Sequence, residues 1–411
     1  MIFTREEKQN WSLWNKIGFR FAFIYFSFYC FSIIGGGLFK PLIYWVANTF
    51  LNISYDFGEK GYGSGDTTYQ YILLLIIAAL SVFGTFIWSI FDRRKSYNQL
   101  NYALILVLRF VLIAFMFIYG FIKIFHMQMI PPTYSRLLSS LGDMSPMGLA
   151  WTFMGYSKLY VVFAGTAEVI AGILLVSRRL QTIGSLMIIA VMGNVFIMNM
   201  AFDIPVKIFS FHLMLMGVFL FLTNGKRFLN SVILRKAVAQ EKSYPIIDKN
   251  SLKVFRIIKA SVTALAIFLS ISAGISRTES FNERLNPIMK GAWEVTYFEK
   301  NGEKQLPLIT DKNYWRYFIL EVKGGATVLK LDSSKEQFSI EIDTVTHQMN
   351  LVRRLDDTKI KLDYTRDEDS LELNGIIDSD SLLIKMTRKT EKDFNLTNRE
   401  FRWINEKPNN Q

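Results

Sequence analysis

The chain has 411 residues, 51% of them hydrophobic and 15% aromatic, with a formal net charge of +12. Apolar content that high, gathered into long uncharged runs, favours a polytopic membrane protein over a large soluble enzyme. Residues 1–280 hold 26 Lys and Arg against 12 Asp and Glu, while residues 281–411 hold 21 against 23. The basic surplus therefore belongs to the apolar half and reads as loop charge on one membrane face, not as a nucleic-acid footprint.

In chain order, residues 1–16 are polar and aromatic, and no cleavable signal peptide is expected. An apolar run at 17–39 predicts the first membrane helix. Residues 41–51 are too short to span and predict an interfacial or re-entrant helix. The glycine-rich stretch Gly63-Ser64-Gly65-Asp66-Thr67-Thr68 predicts a turn and helix N-cap, with a lid or ligand loop as the alternative. Further runs follow at 71–91, 104–125, 157–177, 182–201 and 206–222, then a short one at 260–275, making about seven transmembrane helices. The long loop 126–156 carries an amphipathic stretch around Tyr134–Leu138 and several Met residues. It reads as a cover over the mouth of the bundle, its Met side chains serving as flexible packing with a soft-metal site as the weaker alternative.

The runs contain ionisable groups: Arg109, Lys123, Glu168 and His212. Each costs at least ~2.5–3.5 kcal/mol at mid-membrane, so each needs a partner or a task. Counted at ~1.5 Å per residue from the run edges, Arg109 and Glu168 come within reach of one another, which predicts an intramembrane ion pair. Asn194, Asn199 and His212 approach the level of Tyr119 and Tyr160. They line a polar cavity opening outward or serve as hydrogen-bonding glue between helices. In the loops, Asp66, Asp143, Asp203 and Lys207 are candidates for a ligand site. Cys30 is the only cysteine, which excludes an intramolecular disulfide and a CxxC relay. No metal site is expected, and a bis-His haem on His126 and His212 is disfavoured because His126 lies beyond the membrane core.

With the N-terminus inside, the inner segments hold 18 Lys and Arg and the outer ones six, the bias of the positive-inside rule. Seven spans then carry the C-terminus across. The expected place is the inner membrane of a bacterium, with a cytoplasmic N-terminus and a periplasmic C-terminal domain.

Residues 281–411 alternate apolar and polar in short segments separated by turn signals such as Gly324-Gly325 and Asp356-Asp357. Eight or nine sequential strands predict a small up-and-down barrel. The expected architecture is thus a membrane all-α bundle followed by a small all-β barrel. Its parts are an N-terminal membrane segment (1–103), a four-helix core (104–222), a basic linker with a final span (223–280) and the barrel (281–411).

Two stretches resemble known families. Arg109, Gly120 and Lys123, then Gly165, Glu168 and Gly172, then Arg178-Arg179, form an Arg…Gly-x-x-Lys and Gly-x-x-Glu-x-x-x-Gly…Arg pattern. It resembles the DoxX family of four-helix membrane proteins. Together with Asp66-Thr67-Thr68, Gly142-Asp143-Met144-Ser145-Pro146 and Met154-Gly155-Tyr156 it is similar to the longer DoxX-like proteins of the Bacteroidetes kind. Gly291-Ala292-Trp293 resembles the Gly-x-Trp opening of lipocalin-like domains, which implies that Arg399 or Arg402 covers the Trp293 ring. The DoxX resemblance implies an accessory or quinone-facing component of a membrane redox system, with a quinone as candidate cofactor and a membrane or periplasmic protein as partner. The alternative is a non-catalytic protein, embedded in the lipid bilayer, that binds or passes a lipophilic molecule, with the barrel as receiver or interaction module.

Overall fold

The structure, a computed structural model, describes residues 10–53, 65–238, 264, 267–268, 271–285, 287–399 and 404. The chain divides into two units. One takes Met1–Phe125 and Val162–Ala273; the other takes His126–Val161 and Gly274–Gln411.

The first unit is helical: α1 (Leu13–Gly35), α2 (Lys40–Phe50), α3 (Thr68–Phe91) and α4 (Asn98–Ile124). After α5 (Tyr134–Leu137) and α6 (Pro146–Tyr156), which belong to the second unit, come α7 (Lys158–Val176), α8 (Gln181–Ala201) and α9 (Lys207–Phe228). Among the described residues, six stretches are long and apolar enough to cross a membrane: Leu13–Phe50, Thr68–Phe91, Asn98–Ile124, Lys158–Val176, Gln181–Ala201 and Lys207–Ile233. They match the first six sequence runs and give the architecture of a multi-pass membrane protein. The run at 260–275 lies mostly outside the described residues.

Local chemistry sets the helix starts. Ser12 and Thr67 accept from the N–H groups of Asn15 and Gln70, and Pro41 sits in the first turn of α2, where a missing N–H costs nothing. Burial follows helical spacing: Leu108, Leu112 and Met116 of α4, four residues apart, are all fully buried. The segment read as an interfacial helix is α2. It continues α1 through a 3-10 turn and packs Ile43 and Ala47 against Ile72, Leu73, Ile76 and Ile77 of α3.

The second unit is built on a barrel. Its strands are β1 (Gly291–Lys300), β2 (Glu303–Lys304), β3 (Trp315–Val322), β4 (Gly325–Lys330), β5 (Lys335–Asp343), β6 (Gln348–Arg353), β7 (Lys359–Asp367), β8 (Ser370–Ile377) and β9 (Asp380–Lys389). Setting aside the two-residue ribbon β2, each strand pairs antiparallel with the next, and β1 pairs with β9 to close an eight-stranded up-and-down barrel. Ile360, Leu362 and Tyr364 of β7 point inward between exposed polar neighbours, as alternation requires. Trp293, Phe318 and Phe338, all nearly inaccessible, fill the interior.

β3 breaks the alternation because both of its faces are buried. Its inner residues join the barrel core. Its outer residues Tyr317 and Ile319, with Ala292 and Leu329, lie beneath Tyr134, Leu137 and Leu138. Within this unit the amphipathic stretch Tyr134–Leu138 of the connection between α4 and α7 therefore covers part of the outside of the barrel. Polar contacts fix it. The Glu321 carboxylate accepts from the backbone N–H groups of Tyr134 and Ser135 at the start of α5. Lys335 Nζ donates to Ser139 Oγ at 2.9 Å.

Burial pushes the Glu321 carboxyl above the ordinary carboxylate range, outweighing the Tyr134 and Ser135 N–H groups and the charge of Lys290. A raised folded value means that the native state takes up the proton first as pH falls. Its stabilising contribution is full below the unfolded value, ~4.3, and is lost as pH rises through the folded value. Glu321→Gln should flatten that part of the stability–pH curve. Melting midpoints of the full chain in detergent, taken in steps from pH ~4 to ~7, test this; an unchanged slope in the variant would count against it.

Candidate functional site

The charged centre of the helical unit is built on two glycines. A Cβ on Gly120 of α4 would stand 2.8 Å from the Gly165 carbonyl oxygen, and one on Gly165 of α7 would stand 2.9 Å from the Lys123 Cβ. Without side chains there, the two backbones meet, as small residues permit between membrane helices. Three residues beyond each glycine stand Lys123 and Glu168. Lys123 Nζ donates to Glu168 Oε1 at 2.7 Å and to Oε2 at 2.9 Å, and the two side chains are 7% and 2% exposed. The Tyr119 ring lies 5.8 Å from the ammonium.

The expected Arg109–Glu168 pair is not formed. Arg109 donates from Nε to the Leu175 carbonyl at 3.0 Å, and from Nη2 to the carbonyls of Leu175 and of Val176, the latter at 3.1 Å. These are carbonyls at the C-terminal end of α7, the end of a helix that attracts cations. The contact between Gly120 and Gly165 sets the level of the antiparallel helices. Arg109 then stands beside Val176, and Glu168 is roughly 12 Å further along the axis.

His212 of α9 forms a second cluster with α1. Its Nδ1 lies 2.6 Å from the Ile208 carbonyl, which can only accept, so Nδ1 donates. Nε2 is then left to accept from the Tyr25 hydroxyl at 2.7 Å. The Tyr29 ring stacks on the imidazole with centroids 3.9 Å apart and planes 8° from parallel. Asn199 Nδ2 donates to Ser210 Oγ at 2.9 Å, whereas Asn194 is exposed on α8 and stands apart.

Asp66, read as part of the cap of α3, instead caps α9: its carboxylate accepts from the N–H groups of Lys207 and Ile208 at 2.7 and 2.9 Å. Thr67 caps α3 in its place. Asp203, exposed, accepts from Lys207 Nζ at 2.8 Å, so these three loop candidates form one capping cluster. Asp143 is exposed in a 3-10 turn of the other unit. In the barrel, Trp293 Nε1 donates to the Met289 carbonyl at 3.1 Å. The arginine opposite Trp293 in the strand register is Arg388, which donates to the Lys290 carbonyl from Nε and Nη2. Arg399 is half-buried, and Arg402 lies outside the described residues.

Sequence reasoning missed Tyr25, Tyr29 and Arg20. Arg20 is 3% exposed and donates to Tyr97 Oη, Ser89 Oγ and the Asp92 carbonyl. Its place inside an apolar helix was the available signal. α1 and α3 also bound an open apolar groove of about 380 Å³ lined by Phe23, Ile24, Ser27, Phe28, Phe31 and Trp88. Among the described residues, no group of three His, Cys, Asp or Glu could hold a metal ion.

No family model matches the chain, and no solved structure matches it. An uncharacterized protein of Bacillus subtilis (strain 168), YwoB, is 35% identical over 81 residues, 20% of this chain. The chain spans about half the length of that relative, 53%.

Breaking a buried pair by removing one partner costs about 3–5 kcal/mol. Glu168→Gln should therefore lower the stability of the chain in detergent by that order, and Lys123→Gln combined with it should recover much of the loss. Arg109→Gln combined with Glu168→Gln should give additive losses. Melts of the single and double variants decide between the two pairings; recovery in the Arg109 double alone would refute the Lys123–Glu168 assignment.

Proposed function

We propose that this chain is a multi-pass protein of a bacterial cytoplasmic membrane that binds or passes a lipophilic molecule in its helical half. In this reading the barrel is an interaction module on the periplasmic side. The observation that carries it is the groove beside α1 and α3. Its volume of about 380 Å³ falls within the span of small-molecule sites, and Ser27 is the one polar residue among six lining it. An uncharged molecule with rings or chains suits such walls. The barrel interior is occupied by Trp293, Phe318 and Phe338, which leaves its outer surface to serve as the working part.

A second reading, a quinone-facing accessory component of a redox system fed by a partner subunit, draws on the Tyr25–His212–Tyr29 stack. Both ring nitrogens of His212 are engaged and Tyr29 covers one face, so a quinone there would take the place of the Tyr25 hydroxyl or the Tyr29 ring. The DoxX-like resemblance supports the same reading through Gly120, Lys123, Gly165 and Glu168. The purified chain should carry a lipophile recoverable by extraction and identifiable by mass spectrometry. Ser27→Trp, which fills the groove, should reduce the recovered amount about tenfold, equivalent to ~1.4 kcal/mol of lost fit. Equal recovery from both proteins, or none from either, would sink the groove reading; a quinone in the extract selects the second one.

Orientation rests on the excess of 18 inner over six outer basic residues and on the connection between α4 and α7 that lies against the barrel, which calls for one membrane side for both. In a Cys30→Ser background, an impermeant maleimide applied to intact cells should label Ser333→Cys and Ser140→Cys but not Ser231→Cys. Labelling at 231 alone would reverse the orientation.

A further inference from the structure

Helix α6 has eleven residues and no charged side chain. One side packs within its own unit: Gly148, Ala150, Met154 and Gly155 are buried, and a Cβ on Gly155 would collide with the Ile130 carbonyl. The other side is open. Leu149, Phe153 and Tyr156, spaced four and three residues apart, are 38%, 67% and 46% exposed. The open stripe continues past Ser157. The Phe153 ring meets the Tyr160 ring edge-on at 5.9 Å, and Leu159 and Tyr160 in the first turn of α7 are 77% and 44% exposed. A helix apolar on every side is ordinarily buried on every side, and among the described residues of its own unit this face is left open.

We propose that the Leu149–Phe153–Tyr156 face of α6 lies in the interfacial layer of the bilayer, so that the connection docked on the barrel is also anchored to the membrane surface. The covering partner is lipid because the face is continuous with a membrane helix. Only Ser157 separates α6 from α7, whose Lys158–Val176 is long and apolar enough to cross. Leu and Phe then enter the edge of the acyl region, while Tyr156 and Tyr160 take the level where amphipathic rings settle. α6 has no Lys or Arg, so its hold comes from apolar burial and does not require anionic lipid.

The proposal rests on the reading of α7 as a membrane span, and the test separates the two. The full chain with Cys30→Ser is spin-labelled singly at Phe153→Cys, Phe163→Cys or Leu355→Cys and reconstituted into phosphatidylcholine vesicles. Power saturation with oxygen and with a water-soluble nickel chelate then reads the depth of each label. The label at 153 should be open to oxygen and sheltered from nickel, at ~5–10 Å below the phosphates. Position 163 should read deeper, and position 355, on a barrel turn, should be open to nickel. If 163 is open to nickel, the reading of α7 fails. If 163 reads as lipid while 153 matches 355, or is closed to both reagents as beneath a protein, the α6 proposal is overturned. Tyr156→Cys supplies the same comparison one turn on should Phe153→Cys not reconstitute.

Discussion

The backbone contact between α4 and α7 at Gly120 and Gly165 governs the charged groups of the helical unit. Two missing side chains bring the helices together, and the register so fixed selects the partners of three ionisable residues. Lys123 meets Glu168, and Arg109 is left beside the terminal carbonyls of α7. Hydrocarbon offers no hydrogen bonds, so a charge held off one partner has to find another protein group at its own level. Elsewhere the same rule is met by other means. Arg20 is satisfied by two hydroxyls and a carbonyl, Asn199 by Ser210, and the free N–H groups at the start of α9 by Asp66.

The barrel follows a different constraint. Its interior is filled by large side chains, so its volume is fixed by packing. Part of its exterior is apolar as well, and that surface is stabilised by the segment joining α4 to α7. Glu321 and Lys335 add direction to an otherwise unspecific contact, because each engages a defined donor or acceptor on that segment.

Spans and strands were legible in the sequence because each is declared by a local period: apolar runs of bilayer length, or alternation. The partners of the buried charges were not. Depth was counted from the edges of the apolar runs, yet α4 begins at Asn98, ahead of its run, and the level of one helix against another is set by where their backbones touch. The glycines carried part of that information: Gly165 faces Lys123 and Gly120 faces Val169, the neighbour of Glu168, so each charge lies beside the glycine of the opposite helix. The cover on the barrel also left a trace. Tyr317 and Ile319 are apolar where an exposed face calls for polar residues, the mark of a second layer. The reach of Asp66 to α9, 141 residues away, leaves no local mark at all.

The contact between Tyr134 and Glu321 joins residues 187 positions apart. A ribosome adding about 5–20 residues per second makes Tyr134 roughly 10–40 s before Glu321. For that interval Tyr134, Leu137 and Leu138 have no barrel to cover. The segment is also closed at both ends, since α4 and α7 flank it. Assembly of the second unit is therefore sequential: an early segment waits for a late domain, and the barrel completes its outer face only by closing onto a part of the chain already in place.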